Sequence, residues 1–235
     1  MDAEVVVGEP GVLAARFAER FAAAADRAVG ERGRFACCVP GGSAAEALLP
    51  ALVGAPVDWP RVEVFFADER AVPPDHPDSN YGLARRLWLD RVPLDPARVH
   101  RMRGEDADLE AAADAYACDF GRTLGGRPLD LALLGVGHDG HVGSLFPGHP
   151  LLDEPRRTVA ALTDSPKPPP RRLTLTLVAL AGTALVCVAA FGVEKADAVR
   201  AALESTPSRL PVALAARGAR RTLFLLDPAA ASMLG

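Results

Sequence analysis

The seven residues Gly135-Val136-Gly137-His138-Asp139-Gly140-His141 put three glycines, an aspartate and two histidines directly after an apolar run, Leu129 to Leu134. A neutral imidazole is the side chain best matched to proton abstraction near pH 7. Glycine N–H groups beside it can hold an oxyanion. The loop therefore reads as a general base next to an anion-stabilising backbone. A metal reading competes, because His138, Asp139 and His141 are all possible ligands. The i,i+4 histidine pairing of a helical zinc motif is absent, however, and no distant further ligand stands out. A histidine that merely caps a turn is the plainer alternative, and it suits His138 better than His141. His100 and His149 read as incidental.

Two further loops carry chemistry. In Pro40-Gly41-Gly42-Ser43 the glycines let the backbone approach a ligand, and a following helix offers free N–H groups to an anion. Ser43 can cap that helix or donate to a phosphate oxygen. The loop lacks the Gly-Lys-Ser/Thr ending of a P-loop, and Gly41-Gly42-Ser43-Ala44-Ala45 lacks the last glycine of a nucleophile elbow. Asp68-Glu69-Arg70 follows the apolar run Val62 to Phe66, so these charges are expected to face a crevice. There Arg70 can grip a phosphate and a carboxylate can hold the guanidinium or a sugar hydroxyl. The plainer alternative is a solvated turn.

These loops need a scaffold, and the chain alternates strand-like and helix-like stretches. Leu13, Phe17 and Phe21 recur every four residues and predict a helix of about two to four turns. Phe35 to Val39, Val62 to Phe66, Leu129 to Leu134, Thr158 to Leu162 and Thr222 to Leu226 read as strands. Helices are expected over Ala44 to Leu49, around Leu83 and Leu87, over Asp106 to Leu124 and over Glu194 to Leu203. Pro73 to Asn80 and Pro166 to Pro170 read as loop. The uncharged stretch Leu173 to Val193 is long enough to cross a bilayer. Its alternation at Leu173-Thr174-Leu175-Thr176-Leu177 and its Gly182-Thr183 break favour two buried strands around a connector instead. Apolar strands between amphipathic helices indicate an α/β fold, a mainly parallel doubly wound sheet with helices on both faces. Residues 1–235 are expected to form one such domain, with ligands bound beyond the carboxyl ends of the strands.

Bulk properties narrow the function. A formal charge of -4 and a pI of about 5.8 give no basic surplus for a nucleic-acid or membrane partner. Cys37, Cys38, Cys118 and Cys187 form no CxxC or Cys/His spacing and are expected to be small buried hydrophobes in a reducing compartment. Met1-Asp2-Ala3-Glu4 is acidic, unlike the basic start of a signal peptide. A cytoplasmic protein without metal or cofactor is expected.

Phe66-Ala67-Asp68-Glu69-Arg70-Ala71-Val72-Pro73-Pro74-Asp75-His76-Pro77-Asp78-Ser79-Asn80-Tyr81-Gly82 resembles a recognisable stretch of the 6-phosphogluconolactonase family. So do Gly135 to Gly148, Lys167 to Thr176 and Gly192-Val193-Glu194-Lys195-Ala196, in the family's order and over almost the whole chain. The resemblance implies hydrolysis of 6-phospho-glucono-1,5-lactone, the second step of the oxidative pentose phosphate pathway. It also implies a small phosphorylated lactone as the partner, for a monomer or homodimer. His141, with Asp139, is then the catalytic pair. Gly41, Gly42, Ser43, Asp68, Arg70, Asn80, Gly137, Arg172 and Lys195 form the substrate-binding set, with Arg70 and Lys195 on the phosphate. Ala44-Ala45 and Val142-Gly143 depart from the family's usual Thr-Pro and Thr-Ala. The related glucosamine-6-phosphate deaminases share the fold and a similar Asp-Gly-His loop, but Ser144-Leu145-Phe146-Pro147-Gly148 differs from their continuation. A silent sugar-phosphate sensor would have no need of a base beside its glycines.

Overall fold

Short apolar runs bounded by polar turns become six adjacent parallel strands in the computed structural model, which describes residues 3–204 and 208–235. They are β1 (Ala3–Val7), β2 (Phe35–Val39), β3 (Val62–Phe66), β5 (Leu131–Gly135), β8 (Leu185–Ala190) and β9 (Thr222–Leu226). Their order is β1-β9-β8-β5-β2-β3, and every neighbouring pair runs parallel. Parallel strands need crossovers, so helices cover both faces and the inner strands are apolar throughout.

Helices α1 (Pro10–Arg32), α2 (Gly42–Leu48) and α3 (Asn80–Leu87) cover one face, where Phe17, Phe21 and Leu48 pack on Cys37, Val39 and Leu133. Helices α4 (Leu109–Leu124), α6 (Ala196–Leu203) and α7 (Pro211–Gly218) cover the other, around Cys38, Leu134 and Phe224. Adjacent Cys37 and Cys38 thus point to opposite faces, as strand geometry requires, and both thiols are free.

Several expectations need correction. Helix α1 spans 23 residues rather than two to four turns, because its alanine-rich second half continues the buried stripe through Ala25 and Ala28. Cys118 lies on the outer side of α4 and is exposed, unlike the three strand cysteines. The sheet is joined by a second, antiparallel one of three strands: β4 (Asp68–Arg70), β7 (Arg172–Leu175) and β6 (Val159–Leu162), in the order β4-β7-β6. Within Leu173 to Val193 the first strand stops at Leu175, where Leu177–Leu180 turn into the short helix α5, and the two strands belong to different sheets. No helix among the described residues is long and apolar enough to cross a membrane. Met1 and Asp2 of the acidic start lie outside the described residues.

Candidate active site

The motif Asp68-Glu69-Arg70 is neither a solvated turn nor wholly a crevice wall. Pairing with β7 turns Glu69 inward, where it is 2% exposed. Burial raises its carboxyl pKa, while the N–H groups of Tyr81, Asn80 and Arg70 and the Ser79 hydroxyl favour its charge. Two of these N–H groups open α3, so Glu69 satisfies donors that a helix start leaves without partners. Ser79 completes the cap by accepting from Gly82 N–H at 3.0 Å. The loop from Ala71 to Ser79 is thereby fastened back onto β4, which fixes Asn80 and Arg70.

Asp68 is the hub on the cavity side. Its Oδ1 accepts from Asn80 Nδ2 at 3.0 Å, its Oδ2 from the Ser144 hydroxyl at 2.7 Å, and Arg172 Nη1 stands 3.7 Å away. Gly41 packs so closely on Asn80 that a Cβ there would fall 1.8 Å from Asn80 Oδ1. Helix α2 begins at Gly42 with Gly41 as N-cap and no side-chain cap, so Ser43 does not cap it and its hydroxyl stays on the cavity wall.

The glycine-rich loop after β5 is a tight turn closed by Gly137 N–H to His141 O and Gly140 N–H to Gly137 O, both 2.9 Å. Gly140 takes φ 85°, a region open to glycine. Gly137 is required for a different reason: a Cβ there would sit 1.9 Å from His141 Nδ1. The imidazole therefore lies flat on its own loop. Nδ1 lies 2.5 Å from Asp139 Oδ1, so it carries the proton it donates and leaves the Nε2 lone pair free. Burial depresses the His141 pKa; Asp139 opposes this and the Lys167 ammonium adds to it. Asp139 is itself held below the usual carboxylate range: burial works against its charge, but the ring bond, charge and backbone N–H of His141 together with the Lys167 ammonium outweigh that. The pair is accordingly a carboxylate and a neutral imidazole near pH 7.

One cavity of about 320 Å³ collects the loops. Gly41, Gly42, Ser43, Asp68, Arg70, Asn80, Gly137, His141, Arg172 and Lys195 all line it, so ten of the eleven candidates meet at one place; Asp139 stands behind His141. The wall is electropositive, with four cations against the single carboxylate of Asp68. Arg70 donates to Asp78 O at 2.7 Å, and Lys195 to Val136 O at 2.8 Å. Among the described residues four buried side-chain polar atoms lack a partner, and two of these, Arg70 Nε and Asn80 Oδ1, belong to residues of this cavity. Each such atom costs about 1–3 kcal/mol, a cost that a polar ligand removes. His138 is exposed and off the cavity wall. No three His, Cys, Asp or Glu side chains converge as metal ligands among the described residues.

Two participants carry no assignment from sequence. Lys167 reaches the cavity with Nζ 3.4 Å from His141 Nδ1 and 3.8 Å from Asp139 Oδ1. Its carbonyl is held by Arg172 Nη2 and by the Ser165 hydroxyl. Its signals are a lone cation within a proline run and a place at the start of the family-like block Lys167 to Thr176. Ser144 orients Asp68; its stretch carries the family likeness, but nothing there gives the serine itself a role. Arg172, in turn, spends much of its guanidinium on the carbonyls of Lys167, Pro168 and Pro169, holding this strap against the cavity.

A family-wide sequence profile described as glucosamine-6-phosphate isomerases/6-phosphogluconolactonase matches residues 8–224. The chain belongs to this family. A 6-phosphogluconolactonase of Streptomyces coelicolor is 43% identical over 217 residues, covering 86% of this chain and 83% of the relative. The rat 6-phosphogluconolactonase is 40% identical over 238 residues, covering 97% and 92%. Among solved structures, the 6-phosphogluconolactonase of Trypanosoma brucei superposes with a TM-score of 0.84 at 26% identity, over 99% of both chains. A monomeric glucosamine-6-phosphate deaminase superposes at 0.81 with 22% identity over 99% of this chain and all of its own, which shows the shared fold. Both comparisons agree with a mainly parallel sheet flanked by helices, the fold class expected from the alternation of apolar strands and amphipathic helices.

Proposed function

We propose that this protein hydrolyses 6-phospho-D-glucono-1,5-lactone to 6-phospho-D-gluconate, the second step of the oxidative pentose phosphate pathway. One observation carries the reading: a neutral imidazole with its Nε2 free adjoins a cavity walled by four cations. Relatives named 6-phosphogluconolactonase at about 40% identity over most of the chain support the same substrate.

His141 Nε2 takes a proton from water as its oxygen bonds to C1, and the carbonyl electrons move onto the carbonyl oxygen. N–H groups of the glycine-rich loop other than those of Gly137 and Gly140, which close its turn, hold that oxyanion. The imidazolium, stabilised by Asp139, then returns the proton to the ring oxygen as the C1–O bond breaks. Water is consumed and the carboxylic acid ionises afterwards. Arg70 and Lys195, with Gly41, Gly42 and Ser43, hold the phosphate; Asp68 and Asn80 order the wall between phosphate and base. Binding energy from the phosphate, remote from C1, thus positions the reacting carbon. Residues 1–235 act as one α/β domain, monomeric or homodimeric. The cytoplasm is its compartment, consistent with three buried free thiols.

The test is a lactonase assay at controlled pH, corrected for spontaneous opening, run with chelator and with ammonia monitored. Turnover of the phosphorylated lactone that persists with chelator and releases no ammonia from glucosamine 6-phosphate is the expected result. Ammonia release without lactone hydrolysis would assign the chain to deaminase chemistry instead, and phosphate-dependent binding with neither would make it a sensor.

A further inference from the structure

At the amino ends of β5, β8 and β9, opposite the catalytic cavity, lies a second cavity of about 510 Å³ whose apolar floor is offered by the half-buried Ala24, Pro128 and Ala184. Five arginines surround it: Arg27 and Arg32 from α1, Arg127 before β5, and Arg220 and Arg221 before β9. The only carboxylates on its wall are Glu31 and Asp130, and both are engaged by Arg32, Asp130 at 2.5 Å. The second oxygen of Asp130 accepts from Ala36 N–H at 2.9 Å. Arg27, Arg127, Arg220 and Arg221 have no carboxylate within ion-pair distance among the described residues. A chain of formal charge -4 thus gathers a surplus of three positive charges around one concavity.

We propose that this cavity binds a small polyphosphate ester of the nucleoside di- or triphosphate class. Guanidinium groups recognise phosphate oxygens in pairs and also lie flat against planar rings, so one arginine set serves both halves of such a ligand. The apolar floor accommodates the nucleoside and the arginine rim its phosphates. The volume falls within the range of about 300–1,000 Å³ usual for small-molecule sites. Like charges crowded on one rim repel, and a polyanion removes that repulsion. The site lies at the far end of the sheet from His141, so ligand and substrate bind without competing.

Calorimetric titration of the full chain with ATP, tripolyphosphate and adenosine tests this. Arg70→Ala/Lys195→Ala protein, in which the catalytic cavity has lost its phosphate grip, serves as the second host and keeps the test independent of the lactonase reading. The expected result is one ATP site per chain, equally strong in both hosts, with weaker tripolyphosphate binding and none for adenosine. Arg27→Ser/Arg220→Ser should weaken ATP about tenfold for each lost guanidinium while leaving lactone hydrolysis unchanged. Heat that disappears in the Arg70→Ala/Lys195→Ala host, or that survives Arg27→Ser/Arg220→Ser undiminished, overturns the site. Tripolyphosphate binding as tightly as ATP overturns the nucleoside half of the assignment.

Discussion

His141 and His100 both lie against carboxylates, yet they are pushed in opposite directions. His141 touches one carboxylate, Asp139, with Asp68 farther off within a wall of cations, and burial takes its pKa below the ordinary imidazole value. His100 is also buried, which disfavours its charge, but Glu63 at 3.0 Å and Asp119 at 2.5 Å outweigh that and raise its pKa. Its ring stacks on Phe65, centroids 4.3 Å apart, so it bridges β3 and α4. A carboxylate beside a histidine therefore does not identify a base. What separates the two is the balance of charge around the ring and whether one nitrogen is left unengaged.

Exchanging the two losses breaks or upholds this contrast most sharply. His141→Ala is expected to lower kcat about 10²–10⁴-fold while leaving the melting temperature nearly unchanged, since the ring lies at a cavity rather than in the core. His100→Ala should leave kcat near wild type and destabilise the fold by about 1–3 kcal/mol, because buried Glu63 loses a partner. Steady-state kinetics beside denaturant melts decides between them; a His100→Ala enzyme as inactive as His141→Ala would end the distinction.

The cations around His141 come next in size. Arg70→Ala and Lys195→Ala each remove a charge-assisted contact, worth about 1.5–3 kcal/mol, or about ten- to a hundredfold in kcat/KM. That loss should fall on the phosphorylated lactone and spare unphosphorylated gluconolactone. Equal losses on both substrates would mean that these cations shape the base rather than hold phosphate.

For His100 the pH dependence of stability has a definite sign. Its folded pKa is raised, so its contribution is fully present below the unfolded value of about 6.5 and is lost as pH rises through the folded pKa. Thermal melts of wild type and His100→Gln should therefore differ most below about pH 6.5 and converge as pH rises above it. A gap that stays constant with pH would show that packing on Phe65, not charge, is what His100 contributes.

Much of this architecture was legible in the sequence, for identifiable reasons. The inner strands are continuous apolar runs buried on both faces, and the glycine-rich loop follows the last residue of one of them. What escaped were elements whose stabilisation is not local. β1 is an edge strand with Val5 and Val7 exposed, so its pattern carries little periodicity. β4 consists of three charged residues that become a strand only because β7 pairs with them and the first N–H groups of α3 donate to the Glu69 carboxylate. Helix α7, eight residues that begin with Pro211, is held mainly by docking, as where Val212 N–H reaches Gly140 O at 3.0 Å. The site shows the same division. Residues at strand ends were found from local pattern and family likeness, whereas Lys167 arrives through a strap that Arg172 anchors.

Lys167 gives the smallest and most discriminating prediction. Its ammonium is 3.4 Å from His141 Nδ1, the nitrogen that Asp139 already engages, so it cannot relay a proton through that atom. It acts instead as a positive charge that makes imidazolium less favourable. Burial remains the larger influence on His141, and Lys167 adds to it. Lys167→Met should therefore move the acid limb of the kcat/KM profile to higher pH. The expected cost is about two- to fivefold near pH 6 and little near pH 8, where His141 is neutral in either protein. A uniform loss at all pH values would show that Lys167 binds substrate rather than tunes the base. A shift to lower pH would contradict the electrostatic contrast with His100, because removing a cation from an imidazole can only make its protonation easier.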